Sequence, residues 1–286
     1  MFSHGFYGNF TRTNQAELAA GRAQAGEAGG RGRGRGRAGV NAIRPQTAEG
    51  DPELRAQWMA PIVASVHQPG VIYAGFQALY RSLDRGDSWE RISPDLSSSD
   101  GAQMLLRSSN AVPYQTITAL AESPRRRGLL YAGTDDGRLH ATQDGGRAWT
   151  DLTAAVPTRK WYSRVTPSRH ADGTVYVAQR GREDDDFGVY VYKSTDHGKS
   201  FTSLAANIPA GSVNVIAEDP RNPDTIYVGT DFGALVSTDG GRGWHVLGGG
   251  LPSVQVSDLA FHARDNLIVI STYGRGMYAL DALKIR

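Results

Sequence analysis

The chain has 286 residues, 40% of them hydrophobic and 21% charged, so it can bury the core of one large domain or two small ones and is not a disordered tail. The absence of cysteine excludes disulfides, thiolate metal sites and a cysteine nucleophile. A net charge of +2, from 31 basic and 29 acidic residues, is too balanced to demand a polyanionic partner.

The N-terminal part, residues 1–57, is dominated by a tract in which Gly and Arg alternate between Ala19 and Ala38. This tract has almost nothing to bury, which predicts a flexible linker. No aromatic residue is interleaved with its arginines, so a solvated spacer is favoured over an arm that grips nucleic acid. The first ten residues lack the basic and apolar segments of an export signal, and no run of apolar residues is long enough for a membrane helix.

Residues 58–286 form a second region, which repeats itself. Each of four units has a short strand, a polar turn, a strand with a central Tyr, a third strand and a turn of the form Ser/Thr-x-Asp-x-Gly-x-x-aromatic. A fifth unit, Val256 to Leu280, has the first strands without that turn. The aspartate and aromatic residues of the four turns are Asp84 and Trp89, Asp144 and Trp149, Asp196 and Phe201, and Asp239 and Trp244.

The repeat predicts an all-β protein built as a β-propeller of four-stranded antiparallel blades, with about five units visible and room for more in a larger propeller. The aspartates recur every 43 to 60 residues, which suits blades joined by loops of varying length. In each turn we expect the carboxylate to accept backbone N–H groups, the Gly to adopt positive φ and the aromatic ring to pack between blades.

These turns resemble the Asp-box turns of the BNR/Asp-box β-propeller superfamily, which includes sialidases, xyloglucanases and sortilin-type receptors. The segments Ser93–Leu96, Gly229–Gly233 and Ser271–Tyr278 resemble the C-terminal half of large bacterial sortilin-like proteins, often labelled glycosyl hydrolases. The resemblance covers residues 58 to 281. It implies an exported, extracytoplasmic protein, of which this chain is one part and further blades lie upstream.

In a four-stranded blade the turns joining strands 1–2 and 3–4 emerge at one end, and the 2–3 turns emerge at the other. The Asp boxes are 3–4 turns, so we expect their aspartates to be structural. The candidate ligand-binding residues lie in the 2–3 turns and in the connections between blades, where arginines and aromatic rings suit sugar faces or peptide side chains. They are Arg180, Arg182, Trp161, Tyr162, Tyr273 and Arg275.

Glycoside hydrolysis needs two carboxyl groups about 5 to 9.5 Å apart. Asp135 or Asp136 with Asp231 is the candidate catalytic pair, although aspartates followed closely by Gly are also good turn formers. The chain departs from true sialidases, because Ile43, Arg44 and Pro45 stand in a different order from their Arg-Ile-Pro motif.

No metal or cofactor is predicted. The seven histidines show no zinc spacing, and the acidic run Glu183–Asp186 lacks the ligand pattern of a calcium loop.

The sequence therefore predicts a binding module for a glycan or a peptide, with no nucleic-acid or membrane partner. A glycoside hydrolase is the alternative. A third hypothesis is an assembly scaffold, like the propellers that chaperone photosystem components and carry similar repeats.

Overall fold

A computed structural model describes residues 2–4, 6–16, 40–47, 49–108, 112–262 and 264–285. The Gly/Arg tract predicted as a linker therefore lies outside the described residues. The chain divides into two compact units, one of Met1–Asp95 with Ser99–Ile117 and the other of Leu96–Ser98 with Thr118–Arg286. The boundary expected at residue 57 stays a prediction. Over the described ranges, no helix has the length and apolar character needed to cross a membrane.

The second unit contains four antiparallel sheets, which we call the second to fifth blades. Strands follow chain order across each sheet, so every connection is a hairpin. The second blade comprises β8 (Ile117–Glu122), β9 (Leu130–Thr134), β10 (Leu139–Thr142) and β11 (Thr150–Asp151), and the third β12 (Trp161–Pro167), β13 (Val175–Gly181), β14 (Asp186–Ser194) and β15 (Thr202–Ser203). The fourth comprises β16 (Val213–Glu218), β17 (Ile226–Thr230), β18 (Gly233–Ser237) and β19 (His245–Val246), and the fifth β20 (Val256–His262), β21 (Leu267–Thr272) and β22 (Met277–Asp281).

The first unit contains the first blade and a three-stranded N-terminal sheet. A short helix, α1 (Gly101–Arg107), follows the first blade, and Asp100 caps its N-terminus by accepting hydrogen bonds from two backbone N–H groups. The N-terminal sheet comprises β1 (Phe2–His4), β2 (Phe10–Thr13) and β3 (Val40–Ala42), and the first blade β4 (Ile62–Ala64), β5 (Ile72–Gly75), β6 (Leu79–Ser82) and β7 (Glu90–Arg91).

The N-terminal sheet has the structure of the last three strands of a blade. Ile43, which follows β3, donates its backbone N–H to the carbonyl of Phe10 at 3.0 Å. Leu204 makes the same bond to Val191 in the third blade, and Leu247 makes it to Ala234 in the fourth. Because the hydrogen bond joins equivalent positions of strands 3 and 4, β2 and β3 correspond to those strands. The repeat pattern did not predict this sheet.

The blades of the second unit pack face to face through alternating apolar side chains. The first strand of each blade lies against the preceding blade, with β12 beside β9, β16 beside β12 and β20 beside β16. The Tyr predicted in the second strand lies in the core in every case, and Tyr227 also donates a hydrogen bond to Asp219 at 3.0 Å. The predicted all-β class of antiparallel blades is confirmed by six such sheets of three or four strands in the described residues.

Candidate functional site

The aspartate turns, defined as the 3–4 turns of the first four blades, use their carboxylates to hold the turn together. In the third blade Asp196 accepts hydrogen bonds from the Ser194 hydroxyl at 2.7 Å and from both the backbone N–H and the hydroxyl of Ser200, at 3.0 and 2.7 Å. Such bonds lower the pKa of the carboxyl group. The same direction of pKa shift, with hydrogen bonds as the leading cause, is found for Asp84, Asp144, Asp196 and Asp239.

The aromatic residues that end the first, third and fourth aspartate turns pack toward the preceding sheet. Trp244 is 2% exposed and donates its indole N–H to the carbonyl of Leu204 at 2.9 Å. Trp89 donates to the carbonyl of Ile43 at 2.8 Å, and Phe201 packs against the core shared by the second and third blades. Trp149 is half-buried. The turn is thereby fastened to the neighbouring sheet.

Glycine is required in these turns for two separate reasons. Gly198 has φ of 87°, in the left-handed region that favours glycine, and a Cβ atom there would lie 2.6 Å from Leu152 of the preceding blade. Gly241, with φ of 94°, would meet Leu204 at 2.8 Å in the same way. A side chain at either position would push two blades apart.

The 2–3 turns lie at the opposite end of the blades from the aspartate turns. We call this end the hairpin end, and the 2–3 turn of each blade with the strand ends beside it is the hairpin of that blade. In the third blade Arg180 and Trp161 are paired across β12 and β13, and the guanidinium lies 4.3 Å from the centre of the indole ring. The Nε of Arg180 is 2.8 Å from a carboxylate oxygen of Glu183. Burial lowers the pKa of Arg180 to about 10, so the guanidinium still carries its charge at neutral pH.

Asp231 joins the hairpins of the third and fourth blades. Its carboxylate lies 3.3 Å from Arg182 of the third blade and accepts hydrogen bonds from the Asn214 amide at 3.0 Å and the Ser212 backbone N–H at 3.1 Å. The side chains of Arg182 and Asp231 are 31% and 18% exposed, so this ion pair is sheltered but reachable from solvent. Two adjacent blades therefore present one connected set of charges.

The acidic run in the third hairpin is paired with a base. Lys160 lies 3.0 Å from Asp186 and 3.6 Å from Asp184, and Tyr190 donates its hydroxyl to Asp186 at 2.7 Å. These contacts and the Gly188 N–H lower the pKa of Asp186 to about 2. Within the part of the chain that the structure describes, no group of three or more His, Asp or Glu side chains is placed to hold a metal ion.

Three exposed aromatic rings stand at or beside the tips of successive hairpins. Phe187, Phe232 and Tyr273, in the third, fourth and fifth blades, are 57%, 61% and 77% exposed. Of these three residues, only Tyr273 was predicted from the sequence to bind a ligand. The signal for Phe232 was its place between Asp231 and Gly233, beyond the last residue of β17, where a hairpin turn must expose it.

The three candidate catalytic aspartates differ in their surroundings. Asp135 is 4% exposed, and Asp136 accepts hydrogen bonds from the backbone N–H of Ser98 at 2.7 Å and from the hydroxyl of Thr134. Asp231 is bonded as described above. The oxygens of Asp136 and Asp231 are thus already occupied by protein donors, which leaves fewer lone pairs for a substrate.

The prediction for Tyr162 was wrong. It was predicted to be a surface platform for a ligand, but the ring is fully buried in the core between the second and third blades. It follows Trp161 on β12, and successive side chains of a strand point to opposite faces. Arg275 lies in the exposed tip of the fifth hairpin, and no ion pair to it is found among the residues that are described.

A cavity of about 300 Å³ lies at the other end of the fourth blade. Its walls come from the turn between β16 and β17 and from the short 3₁₀ turn Ala282–Lys284 after β22. The Arg221 guanidinium, which lines it, binds Asp219 and Asn266. The lining residues are Asp219, Arg221, Asn222, Thr225, Tyr227, Ala282, Leu283 and Ile285.

The chain is similar to two curated fungal proteins. It is 28% identical over 140 residues to a probable oligoxyloglucan-reducing end-specific xyloglucanase of Neosartorya fischeri. The matched segment covers 45% of this chain and 17% of that protein. It is 22% identical over 223 residues to an oligoxyloglucan-reducing end-specific xyloglucanase of Emericella nidulans, covering 70% of this chain and 25% of that protein. The chain thus spans a quarter or less of these relatives' length. No family model matches the sequence.

Solved structures similar to the chain are β-propellers, so the predicted β-propeller is confirmed. An ancestral GH74 enzyme superposes with a TM-score of 0.61 at 20% identity, over 82% of this chain and 31% of that one. YCF48 bound to D1 peptide gives a TM-score of 0.54 at 15% identity, over 84% and 68%. The extracellular domain of a hybrid two-component system from B. thetaiotaomicron gives 0.59 at 16%, over 86% and 30%. At these identities the likeness shows the fold alone.

Proposed function

We propose that the chain is a ligand-binding propeller module and that its ligand is an oligosaccharide, held at the hairpin end of the third and fourth blades. The hairpin site is defined as Trp161, Arg180, Arg182 and Asp231, with the exposed rings of Phe187 and Phe232. The observation that carries the proposal is the sharing of one charge network by two adjacent hairpins beside exposed aromatic rings.

The chemistry of the hairpin site suits a sugar. Aromatic side chains offer an apolar face of the size of a pyranose ring, while charged hydrogen-bonding groups beside them can bind hydroxyls. Arg182 binds Asp231 through one nitrogen and Glu183 through another, and the remaining N–H groups of its guanidinium can donate to sugar hydroxyls. The similarity to xyloglucanases supports a plant-type glucan as the first ligand to test.

A peptide is the second candidate ligand. YCF48, a propeller of similar fold, is solved with a bound peptide. The sheltered guanidinium of Arg180 and the exposed ring of Phe232 would suit a peptide carboxylate and an apolar side chain. The assembly-scaffold hypothesis would follow from this second candidate.

Hydrolysis by Asp135 or Asp136 with Asp231 remains the alternative to simple binding. We favour binding because the carboxylates of Asp136 and Asp231 are held by protein donors. Under the binding proposal, wild-type protein releases no reducing ends from xyloglucan. Under the hydrolase alternative it does, and Asp231→Asn abolishes the release while the fold is retained.

The type of the aspartate turns, the subgroup of the chain and its cellular location are proposals as well. We propose that the aspartate turns are Asp boxes of the BNR type, that the chain resembles the sortilin-like group most closely, and that it forms part of a longer extracytoplasmic protein with further blades. The similarity in fold to the extracellular domain from B. thetaiotaomicron supports the extracytoplasmic location. The matched region covers only 25% of the Emericella protein, which supports a longer parent protein for this chain.

The proposal is tested by titrating xyloglucan oligosaccharides into the full chain and following the heat of binding. Phe232→Ala removes an exposed ring of the hairpin site and should weaken binding about tenfold or more. Val246→Ala, a matched control, removes a side chain that is 79% exposed on β19 and should bind like wild type. Equal affinity in the two variants would contradict the proposed site.

A further inference from the structure

A second group of exposed aromatic rings lies in the first unit, far in sequence from the hairpin site. Phe6 and Tyr7 form the turn between β1 and β2, and Trp58 precedes the first strand of the first blade. The ring centres of Phe6 and Trp58 are 4.3 Å apart, and those of Tyr7 and Trp58 are 5.3 Å apart with their planes near perpendicular. Phe6 is 53% exposed and Trp58 45%. We call these three residues the aromatic platform.

The platform is built on a rigid base. Tyr7 donates its backbone N–H to the carbonyl of Trp58 at 3.2 Å, which fastens the turn to the inter-blade segment. Tyr7 has φ of 58° and ψ of 38°, a left-handed conformation that is unfavourable for a residue with a Cβ atom. The next residue, Gly8, is so close to Phe76 that a Cβ would lie 2.6 Å from that ring. The rings are therefore held in place rather than collapsed onto the surface.

Two polar side chains, Asn9 and Arg44, lie beside the platform. Asn9 is exposed and bonds the carbonyl of Phe6 through its amide at 2.9 Å. Arg44 reaches the Asn9 oxygen at 3.4 Å while its guanidinium lies over Phe76 at 5.6 Å, and a guanidinium has five donors, so several stay available for a ligand. Exposed rings beside amide and guanidinium groups supply the apolar face and the hydrogen-bonding groups that a polyol requires.

The segments that build the platform are of the same two kinds as those that build the hairpin site. Phe6 and Tyr7 lie in a turn between strands equivalent to 2 and 3 of a blade, and Trp58 lies in the connection that leads into a first strand. In the third blade Phe187 is the second residue of β14, just after the corresponding turn, and Trp161 is the first residue of β12, just after the corresponding connection. Aromatic residues thus lie in or beside the same two kinds of segment in both units.

We infer that the aromatic platform is a second carbohydrate-binding site, in which Trp58 and Phe6 stack on a pyranose ring and Asn9 and Arg44 bond its hydroxyls. The choice of a sugar rests on the proposed function. The alternative occupant, a proline-containing peptide, would stack on the same rings and is distinguished by experiment.

The test is a calorimetric titration of xyloglucan oligosaccharides into the wild-type chain and into Trp58→Ala and Phe6→Ala. The wild type should bind at two sites. Each variant should lose one of them or weaken it about tenfold or more, while the site removed by Phe232→Ala persists. Leu106→Ala removes a side chain that is 78% exposed on α1 of the same unit and should change neither stoichiometry nor affinity.

The outcomes separate the inference from the proposed function. One binding site in the wild type, lost in Phe232→Ala and unaltered in both platform variants, would overturn the inference alone. Binding of a polyproline peptide that is lost in Trp58→Ala, with sugar binding unaltered there, would also overturn it. A wild type that binds no oligosaccharide would overturn both proposals. Two variants are used because a loss shared by Trp58→Ala and Phe6→Ala, with thermal unfolding unchanged, cannot come from misfolding of one of them.

Discussion

The two ends of the blades in the second unit differ in what repeats. At the aspartate-turn end the same carboxylate bonds recur from blade to blade, and Phe201 and Trp244 both pack into the core shared with the preceding blade. At the hairpin end each blade carries different residues, with exposed Phe232 in the fourth and exposed Tyr273 in the fifth. One end of the sheet stack is used for assembly, and the other is left free to vary.

Recurring residues and residues found in one blade meet different needs. The residues that recur in the four aspartate turns meet a need that those blades share, which is to join the outer strand to the rest of the structure. A residue that occurs in one unit, such as Arg182 bound to Asp231, meets no such shared need. Residues that depart from the repeat are therefore the better candidates for ligand binding.

The largest expected effect comes from breaking the aspartate-turn end. Trp244→Ala empties a buried site and removes the hydrogen bond to Leu204, which should lower the free energy of unfolding by about 3–5 kcal/mol. Urea unfolding followed by circular dichroism measures the loss. Val246→Ala, on the adjacent exposed strand, should leave the free energy within about 0.5 kcal/mol of wild type. Equal losses in the two variants would refute the assembly role of the indole.

The next largest loss of stability is expected where the second and third blades lie closest together. A Cβ on Gly133 would lie 2.6 Å from the Cβ and Cγ atoms of buried Tyr162, so Gly133→Ala should destabilise the fold by about 1–3 kcal/mol. Gly249 has no atom within 4 Å of such a Cβ and serves as the control. If the two alanine variants unfold at the same urea concentration, the blades are not packed as closely as described.

Exposed rings at the hairpin end should matter little for stability. Phe232→Ala should alter the free energy of unfolding by no more than about 0.5 kcal/mol, because the ring is 61% exposed. Thermal unfolding compared with Trp244→Ala checks this directly. A loss comparable to that of Trp244→Ala would mean that the hairpin end is also part of the structural core.

Acid should weaken the aspartate turns selectively. The folded pKa of Asp196 and of its three counterparts is lowered by hydrogen bonds, so their contribution to stability is present above the unfolded pKa of about 3.9 and is lost as pH falls through the folded value. The free energy of unfolding should therefore fall as pH drops below about 4. Asp196→Asn should show a shallower fall, and an identical pH profile would contradict the assigned role.

Much of the fold could be predicted from the sequence because the repeat is local in the chain. The Tyr strands and the aspartate turns are each short patterns whose geometry follows from their own residues. The N-terminal sheet was missed because no aspartate turn joins β2 to β3; its likeness to a blade rests on the Ile43 to Phe10 hydrogen bond, which sequence alone does not reveal.

The candidate site could be predicted only in part. The sequence placed Arg180 and Arg182 at the 2–3 turn of the third blade and Trp161 in the connection before it, whereas the structure has Trp161 as the first residue of β12, paired with Arg180. It could not tell that Tyr162 faces the core, since this depends on where β12 begins and hence on which side chains alternate inward. Nor could it pair Trp58 with Phe6, which are brought together only by the tertiary fold.

The most direct test of the central claim uses the indole N–H signals of the five tryptophans in a nuclear magnetic resonance titration with xyloglucan oligosaccharide. Trp161 belongs to the hairpin site and Trp58 to the aromatic platform, whereas Trp89, Trp149 and Trp244 end aspartate turns. We predict that the signals of Trp161 and Trp58 shift with added sugar and that the other three do not move. Shifts confined to the aspartate-turn tryptophans, or no shift at all, would contradict the claim that ligands bind at the hairpin end.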